Sequence, residues 1–440
     1  MDSQDLPKGA KEKLPGVSDA TEAQTEKQQE RRAVIQATRE LPLPLDGGTL
    51  AWIQCAAAFC IFFNTWGLLN SFGVFQSYYS LTLLRTSTSS QISWIGTIQS
   101  SFIMIGSVYS GPLYDQGYFR PLIATGCFML VFGMFMTSLG TQYWQQVLSQ
   151  GLFMGIGLGC LFMPCLGILA SYFVKRRGLA MGIASSGSTI GGIVYPIIFS
   201  QLVGKLHFGW TTRVLAFIML FLSILPVFGM KLRSKPLAVR KVFDSKAWRE
   251  PEYTLYAIAV VVGYLGLYTP YFYIQLFSIE KGIISGSLNL YLLPIINAAG
   301  FFGRIFFGHL ADKVGSLNAF IAASGPCAAL LFGWMGIHNE AGVIVFCLLY
   351  GFFSAGMITL PAMVIAVVLC PDMREYGVRL TMQLVPSGLG ILIGNPIAGA
   401  ILPSGWVQLQ GFAAATVAAC TLFAIAARVV KVGWVIGRKI

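Results

Sequence analysis

In the run "AAGFFGRIFFGHLAD" the guanidinium of Arg304 stands among apolar residues on both sides, eight positions before the carboxylate of Asp312. Along a helix that separation is about 12 Å. It leaves Arg304 inside hydrocarbon, where a charged side chain costs about 2.5 to 3.5 kcal/mol. Two arrangements would offset this. Either the guanidinium bonds backbone carbonyls or a neighbouring helix, or its planar fork receives an anion such as a carboxylate or enolate. Asn297 and Gly300 precede Arg304 by seven and four residues and share its helical face. Pro294 stands where it would bend the same helix.

A second set lies in "GYLGLYTPYFYIQ", where Tyr264, Tyr268, Tyr271 and Gln275 follow at steps of four, three and four and so share one face. A tyrosine stripe serves packing, an interfacial belt or the lining of a cavity, and the sequence leaves these open. Asn64, Asn70 and Gln76 lie in the first apolar run and cannot face lipid cheaply, so interhelical bonding and substrate contact are both open for them. In "YFVKRRGLAMGIASSG" the cations Lys175, Arg176 and Arg177 fill the gap between two apolar runs. They read as a topology anchor and gate partner of Asp115 rather than as substrate ligands. Gly151, Gly155 and Gly159 make a smooth helix face, not a nucleotide loop. The nine cysteines and three histidines show no metal or redox spacing. No cofactor is expected, nothing resembles a P-loop, and no paired acid and base points to an enzyme.

The elements that hold these residues must cross a membrane. Of 440 residues 55% are hydrophobic and 11% charged, against about 25% charged in soluble chains. Apolar blocks run over residues 49–78, 92–113, 121–140, 144–173, 178–202, 211–231, 253–278, 286–310, 317–337, 341–369, 378–402 and 410–434. Each is long enough to cross about 30 Å of hydrocarbon as a helix. An all-α membrane protein with about 12 transmembrane helices is expected. No Asp or Glu lies well inside a block, so no buried proton carrier is apparent. Residues 1–46 are polar, mixed in sign and poor in aromatics, and are expected to form a disordered tail without a secretory signal pattern.

Cations gather in alternate loops: Arg120, the 175–177 triplet, the segment 231–249, Lys313, Arg374 with Arg379, and the C-terminal end. The positive-inside rule places these loops and both termini in the cytoplasm. The same distribution explains the net charge of +12 without a nucleic-acid partner. Expected partners are the lipid bilayer and a small-molecule substrate, with an accessory membrane protein left open.

The halves repeat. "GSVYSGPLYD" (106–115) aligns with "GRIFFGHLAD" (303–312), matching Gly106 to Gly303, Gly111 to Gly308, Leu113 to Leu310 and Asp115 to Asp312. Ser107 is then the counterpart of Arg304, so the scaffold itself does not require a cation there. Six-helix halves at 47–231 and 253–434, a cytoplasmic linker at 232–252 and a tail at 435–440 make a parallel-repeat transporter with its path near the midplane.

With these motifs in view, "GPLYDQGYFR" is similar to the loop motif of the major facilitator superfamily after helix two, and "GHLADKVG" to its second-half echo. The resemblance implies that Asp115 caps helix five or pairs with loop cations. "YFVKRRGLAMGIASSG" resembles the helix-five signature of the monocarboxylate porter family, and "DGGTLAW" (46–52) its signature before helix one. Together they imply the major facilitator fold and alternating access from about Asp46 onward. In the animal lactate carriers a helix-one lysine and a helix-eight aspartate and arginine bind and protonate the cargo. The matching positions here are Asn70, Gly300 and Arg304. Two of three differ, so proton–monocarboxylate symport by that mechanism is not expected, and the departure resembles the fungal branch.

The expected function is secondary active or facilitative transport of a small organic molecule, as efflux of an anionic secondary metabolite across the plasma membrane. Uptake of a monocarboxylate or of a vitamin such as riboflavin, a non-transporting nutrient sensor, and the vacuolar membrane stand as alternatives.

Overall fold

The computed structural model describes residues 47–173, 176–233, 244–284, 286–370 and 375–434. Among them there is no strand, as a bilayer demands of a chain that must satisfy its backbone within each crossing segment. In chain order, α1 is Thr49–Leu83 and α2 the pair of segments Ser89–Ile105 and Ser107–Asp115. Next come α3 (Phe119–Thr137) and α4 (Tyr143–Leu169). The following helix, Leu179–Gly229, has 51 residues, or about 77 Å at 1.5 Å per residue. That exceeds twice the hydrocarbon thickness, and the helix folds back at His207, whose φ of 58° and ψ of 168° are not helical. Asn64 records the hairpin by accepting a bond from Tyr195 Oη at 2.7 Å while donating to the Met219 carbonyl at 3.2 Å. Residues 177–206 are thus α5 and residues 208–229 α6, and the expected loop between 202 and 211 shrinks to one residue. The second half holds α7 (Pro251–Glu280), α8 (Leu292–Val314), α9 (Ser316–Trp334), α10 (Glu340–Val367), α11 (Tyr376–Ile401) and α12 (Trp406–Val432). The chain is a multi-pass membrane protein.

Pro294 falls in the first turn of α8, where no intrahelical N–H bond is lost, so it does not bend the helix as expected.

The repeat is visible in backbone contacts. A methyl on Gly187 or Gly191 of α5 would strike the Phe59 or Phe63 carbonyl of α1, and one on Gly390 or Gly394 of α11 would strike the Val261 or Leu265 carbonyl of α7. Each half therefore clamps its first helix onto its fifth through two glycines four residues apart. In the 106–115 motif and its echo, close approach is made by Gly106 on Gly159 and by Gly303 on the Phe352 backbone. Gly111 and Gly308 face open space. Gly151, Gly155 and Gly159 lie against α2, at Ile95, at Phe102 with Gln99, and at Tyr109, the packing face expected of them.

Candidate functional site

Both first helices break at the same height. Helix α7 is interrupted at Tyr268 (φ −88°, ψ −3°). Pro270 opens the second segment and cannot donate to the carbonyl four residues back. Helix α1 is interrupted at Asn70 and Ser71, where the Ser71 hydroxyl turns back onto the Gly67 carbonyl at 2.7 Å and competes with the helical bond. The two helices run in the same direction, and Gly73 abuts the Tyr271 carbonyl. Three residues earlier on each, Asn70 and Tyr268 stand level.

The tyrosine stripe is a ladder of rings. Tyr264 and Tyr268 have centroids 6.1 Å apart, Tyr268 and Tyr271 5.7 Å, and Tyr271 and Tyr350 of α10 6.2 Å. Tyr271 shares a 3.1 Å bond with Ser354, Tyr350 donates to the Leu267 carbonyl, and Tyr264 makes a long 3.5 Å bond to the Met357 carbonyl. The buried Tyr268 hydroxyl has no partner, and neither do Thr269 Oγ1, Asn70 Oδ1 or Gln275 Oε1. Such groups are rare in a well-packed interior unless something else engages them.

Arg304 reaches across from α8 to α5. Its Nη1 donates to the Ser185 carbonyl at 3.1 Å and to Ser188 Oγ. Its Nε is buried without a partner, and among the described residues no carboxylate pairs with it. The phenols of Tyr268 and Tyr271 lie within its electrostatic reach. Both arrangements considered for Arg304 therefore coexist: one nitrogen bonds the neighbouring helix, and the rest of the fork is uncommitted. Asn297 donates to the Gly192 carbonyl at 3.1 Å and to the Leu293 carbonyl at 2.9 Å, which puts it at the α5–α8 crossing with both amide hydrogens engaged. A methyl added at Gly300 would make only ordinary contacts, with Gly351 and Ala355.

The matched motif residues differ in setting. Asp115 is buried, at 5% exposure, whereas its counterpart Asp312 is exposed. Arg176 is exposed. Lys175 and the Arg177 side chain lie outside the described residues. Asn64 is a bonding group, tied to Tyr195, Met219 and Ser223, and Gln76 donates to the Ser89 carbonyl at 3.3 Å. All nine cysteines are buried and unbridged, and among the described residues no cluster is suited to a metal. Sequence inspection missed Ser185, Ser188, Tyr350 and Thr269. Ser185 lies within the quoted helix-five stretch and Ser188 one residue beyond its end, and no local pattern in the sequence set either apart.

A partly committed guanidinium at the crossing of α5 and α8 is thus the candidate for a binding site. The description of the major facilitator superfamily matches residues 54–383. An MFS-type transporter of Emericella nidulans is 41% identical over 375 residues, covering 84% of each chain. The chain belongs to the major facilitator superfamily. It is also 36% identical to the aspyridones efflux protein of Emericella nidulans over 395 residues (89% of this chain, 80% of that one). To the fujikurins efflux protein of Gibberella fujikuroi it is 34% identical over 377 residues (84% and 80%). As a major facilitator protein it is a transmembrane transporter, and Arg304, Asn70 and the tyrosine ladder form the candidate cargo site of that transporter.

Proposed function

We propose that this transporter exports an anionic secondary metabolite across the plasma membrane, with both termini and the basic loops in the cytoplasm, and that Arg304 receives the anion. The observation that carries the proposal is the buried Nε of Arg304, which among the described residues has no partner and no carboxylate beside it. A cation left so in low dielectric calls for an anion, and a guanidinium fork suits a carboxylate or enolate. Tyr268 and Asn70 offer further hydrogen bonds, and the rings favour a flat cargo. Two relatives are named as efflux proteins for aspyridones and fujikurins, which supports the outward direction for a secondary metabolite. Within the superfamily, the resemblance of the helix-five stretch supports a reading of the chain as a member of the monocarboxylate porter family. Residues 47–231 and 253–434 act as the two rocking halves, joined by 232–252 and flanked by the tails 1–46 and 435–440, with Asp115, Asp312 and the 175–177 cations at the cytoplasmic gate.

The test compares metabolites inside and outside native cells that carry the intact gene, a deletion, or Arg304→Gln. An acid that accumulates inside and falls outside in both altered strains is the expected result. A compound left unused outside instead would establish import and overturn the proposal, as would normal export by Arg304→Gln.

A further inference from the structure

Bonds from α2 to the other half gather at its Ser89 end, the end opposite the basic loops. Ser90 Oγ donates to the Pro396 carbonyl at 2.8 Å. The Tyr273 hydroxyl, fully buried, bonds Ser93 Oγ and reaches the Ser89 carbonyl at 3.4 Å and the Asn395 carbonyl at 3.2 Å. Gly399 admits this contact, since a Cβ there would lie 2.5 Å from Tyr273 Oη and 2.7 Å from the Ser90 nitrogen.

Beneath this junction runs a seam between the outer segments of α1 and α7. The register set by Gly73 on Tyr271 aligns Gln76, Ser77 and Ser80 of α1 with Gln275 and Ser278 of α7. Gln76 Oε1, Gln275 Oε1 and the hydroxyls of Ser77, Ser80 and Ser278 are all buried without partners. A dry interface between two helices has no use for five such oxygens, because each burial without a bond is unfavourable. A wall that is wetted in another stage of the transport cycle does.

We propose that this seam is the outlet of the transport path and that Tyr273 is the gate residue that holds it shut. The latch contains only hydroxyls and carbonyls. Its opening is therefore insensitive to pH across the range where histidine titrates, unlike a gate of ion pairs. The proposal needs the transporter fold but not the charge of the cargo, so it stands or falls separately from the role of Arg304.

The test uses the full-length chain in detergent with Ser278→Cys as a reporter against the nine buried native cysteines, and reads its rate of reaction with a maleimide. Ser77→Cys serves if the first reporter folds poorly. Tyr273→Phe is expected to raise the rate about fivefold, the effect of losing one net hydrogen bond. Gly399→Ala, which wedges the same junction, is expected to raise it as well. The ratio of variant to parent is expected to hold between about pH 6 and 8. Unchanged reporter rates in both variants would overturn the gate, and a strongly pH-dependent ratio would overturn the neutral latch.

Discussion

Arg304→Gln separates a cargo ligand from a structural tie, because the two roles move stability in opposite directions. In the protein Nη1 makes two bonds to α5 and Nε makes none. Removing the guanidinium loses two bonds to a charged group, one of them replaced by the glutamine amide, for a net loss of about 1.5 to 3 kcal/mol, and relieves a membrane-buried charge that costs about 2.5 to 3.5 kcal/mol. The two nearly cancel, so the ligand-free variant is expected to melt no lower than the parent. Binding behaves otherwise. A hydrogen bond to a charged group contributes about 1.5 to 3 kcal/mol, so an anionic cargo should bind about 10- to 150-fold more weakly. At a cargo concentration of 100 times the parental Kd, the parent gains about 2.7 kcal/mol of stability. A variant weakened 100-fold gains about 0.4 kcal/mol at the same concentration. The assay is thermal melting of purified protein in detergent, with and without the exported acid found in the cell comparison. A ligand-free variant that melts well below the parent, yet is stabilised equally by the acid, would refute the anion role and leave Arg304 as a tie between α5 and α8.

Gly191→Ala is expected to destabilise by about 1 to 3 kcal/mol, since its methyl would meet the Phe63 carbonyl and the Gly67 Cα, neither of which can rotate away. Gly300→Ala should instead stabilise by about 0.5 to 1 kcal/mol, because its nearest neighbour would lie at 3.4 Å; melting of the two variants checks the opposite signs. His207→Gly should raise stability by about 1 kcal/mol, since a non-glycine residue at φ 58° carries strain of about 1 to 3 kcal/mol and glycine gives part of that back in chain entropy. Arg379, only 3% exposed, is held by Glu250 at 2.6 and 2.7 Å and by the Leu369 carbonyl at 2.6 Å. Arg379→Met should destabilise by about 2 kcal/mol, below the usual cost of breaking a buried pair because Glu250 is 31% exposed; chemical unfolding followed by tryptophan fluorescence would read it.

Apolar block length was enough to mark the crossings, because hydrocarbon thickness sets helix length directly. It was not enough to mark their interruptions. Nothing local announces the Gly106 step in α2 or the one-residue turn at His207, since both depend on what packs alongside. The breaks at Asn70 and Tyr268 were nearer to legible, as Asn-Ser and Thr-Pro are both poor continuations of a helix. Arg304 and the tyrosines stood out because charge and repeated aromatics are unusual inside apolar runs. Tyr273 did not, although it lies two residues from Tyr271, because its role is defined by partners on α2 and α11 that are 180 and 122 positions away. Arg379 was hidden for the opposite reason: a cation in a loop-adjacent position already had an explanation in topology.

The duplicated scaffold places serine, Ser107, where its twin places Arg304, and this one-sidedness has an electrical consequence. On the proposed role of Arg304, the empty carrier presents the unpaired charge of this guanidinium within the membrane field, whereas a bound monoanion cancels it. Moving one elementary charge through 100 mV amounts to about 2.3 kcal/mol, so membrane voltage acts on the return of the empty carrier and leaves the loaded step almost untouched. A cell would then drive or slow this transporter through its resting potential even where no ion accompanies the cargo.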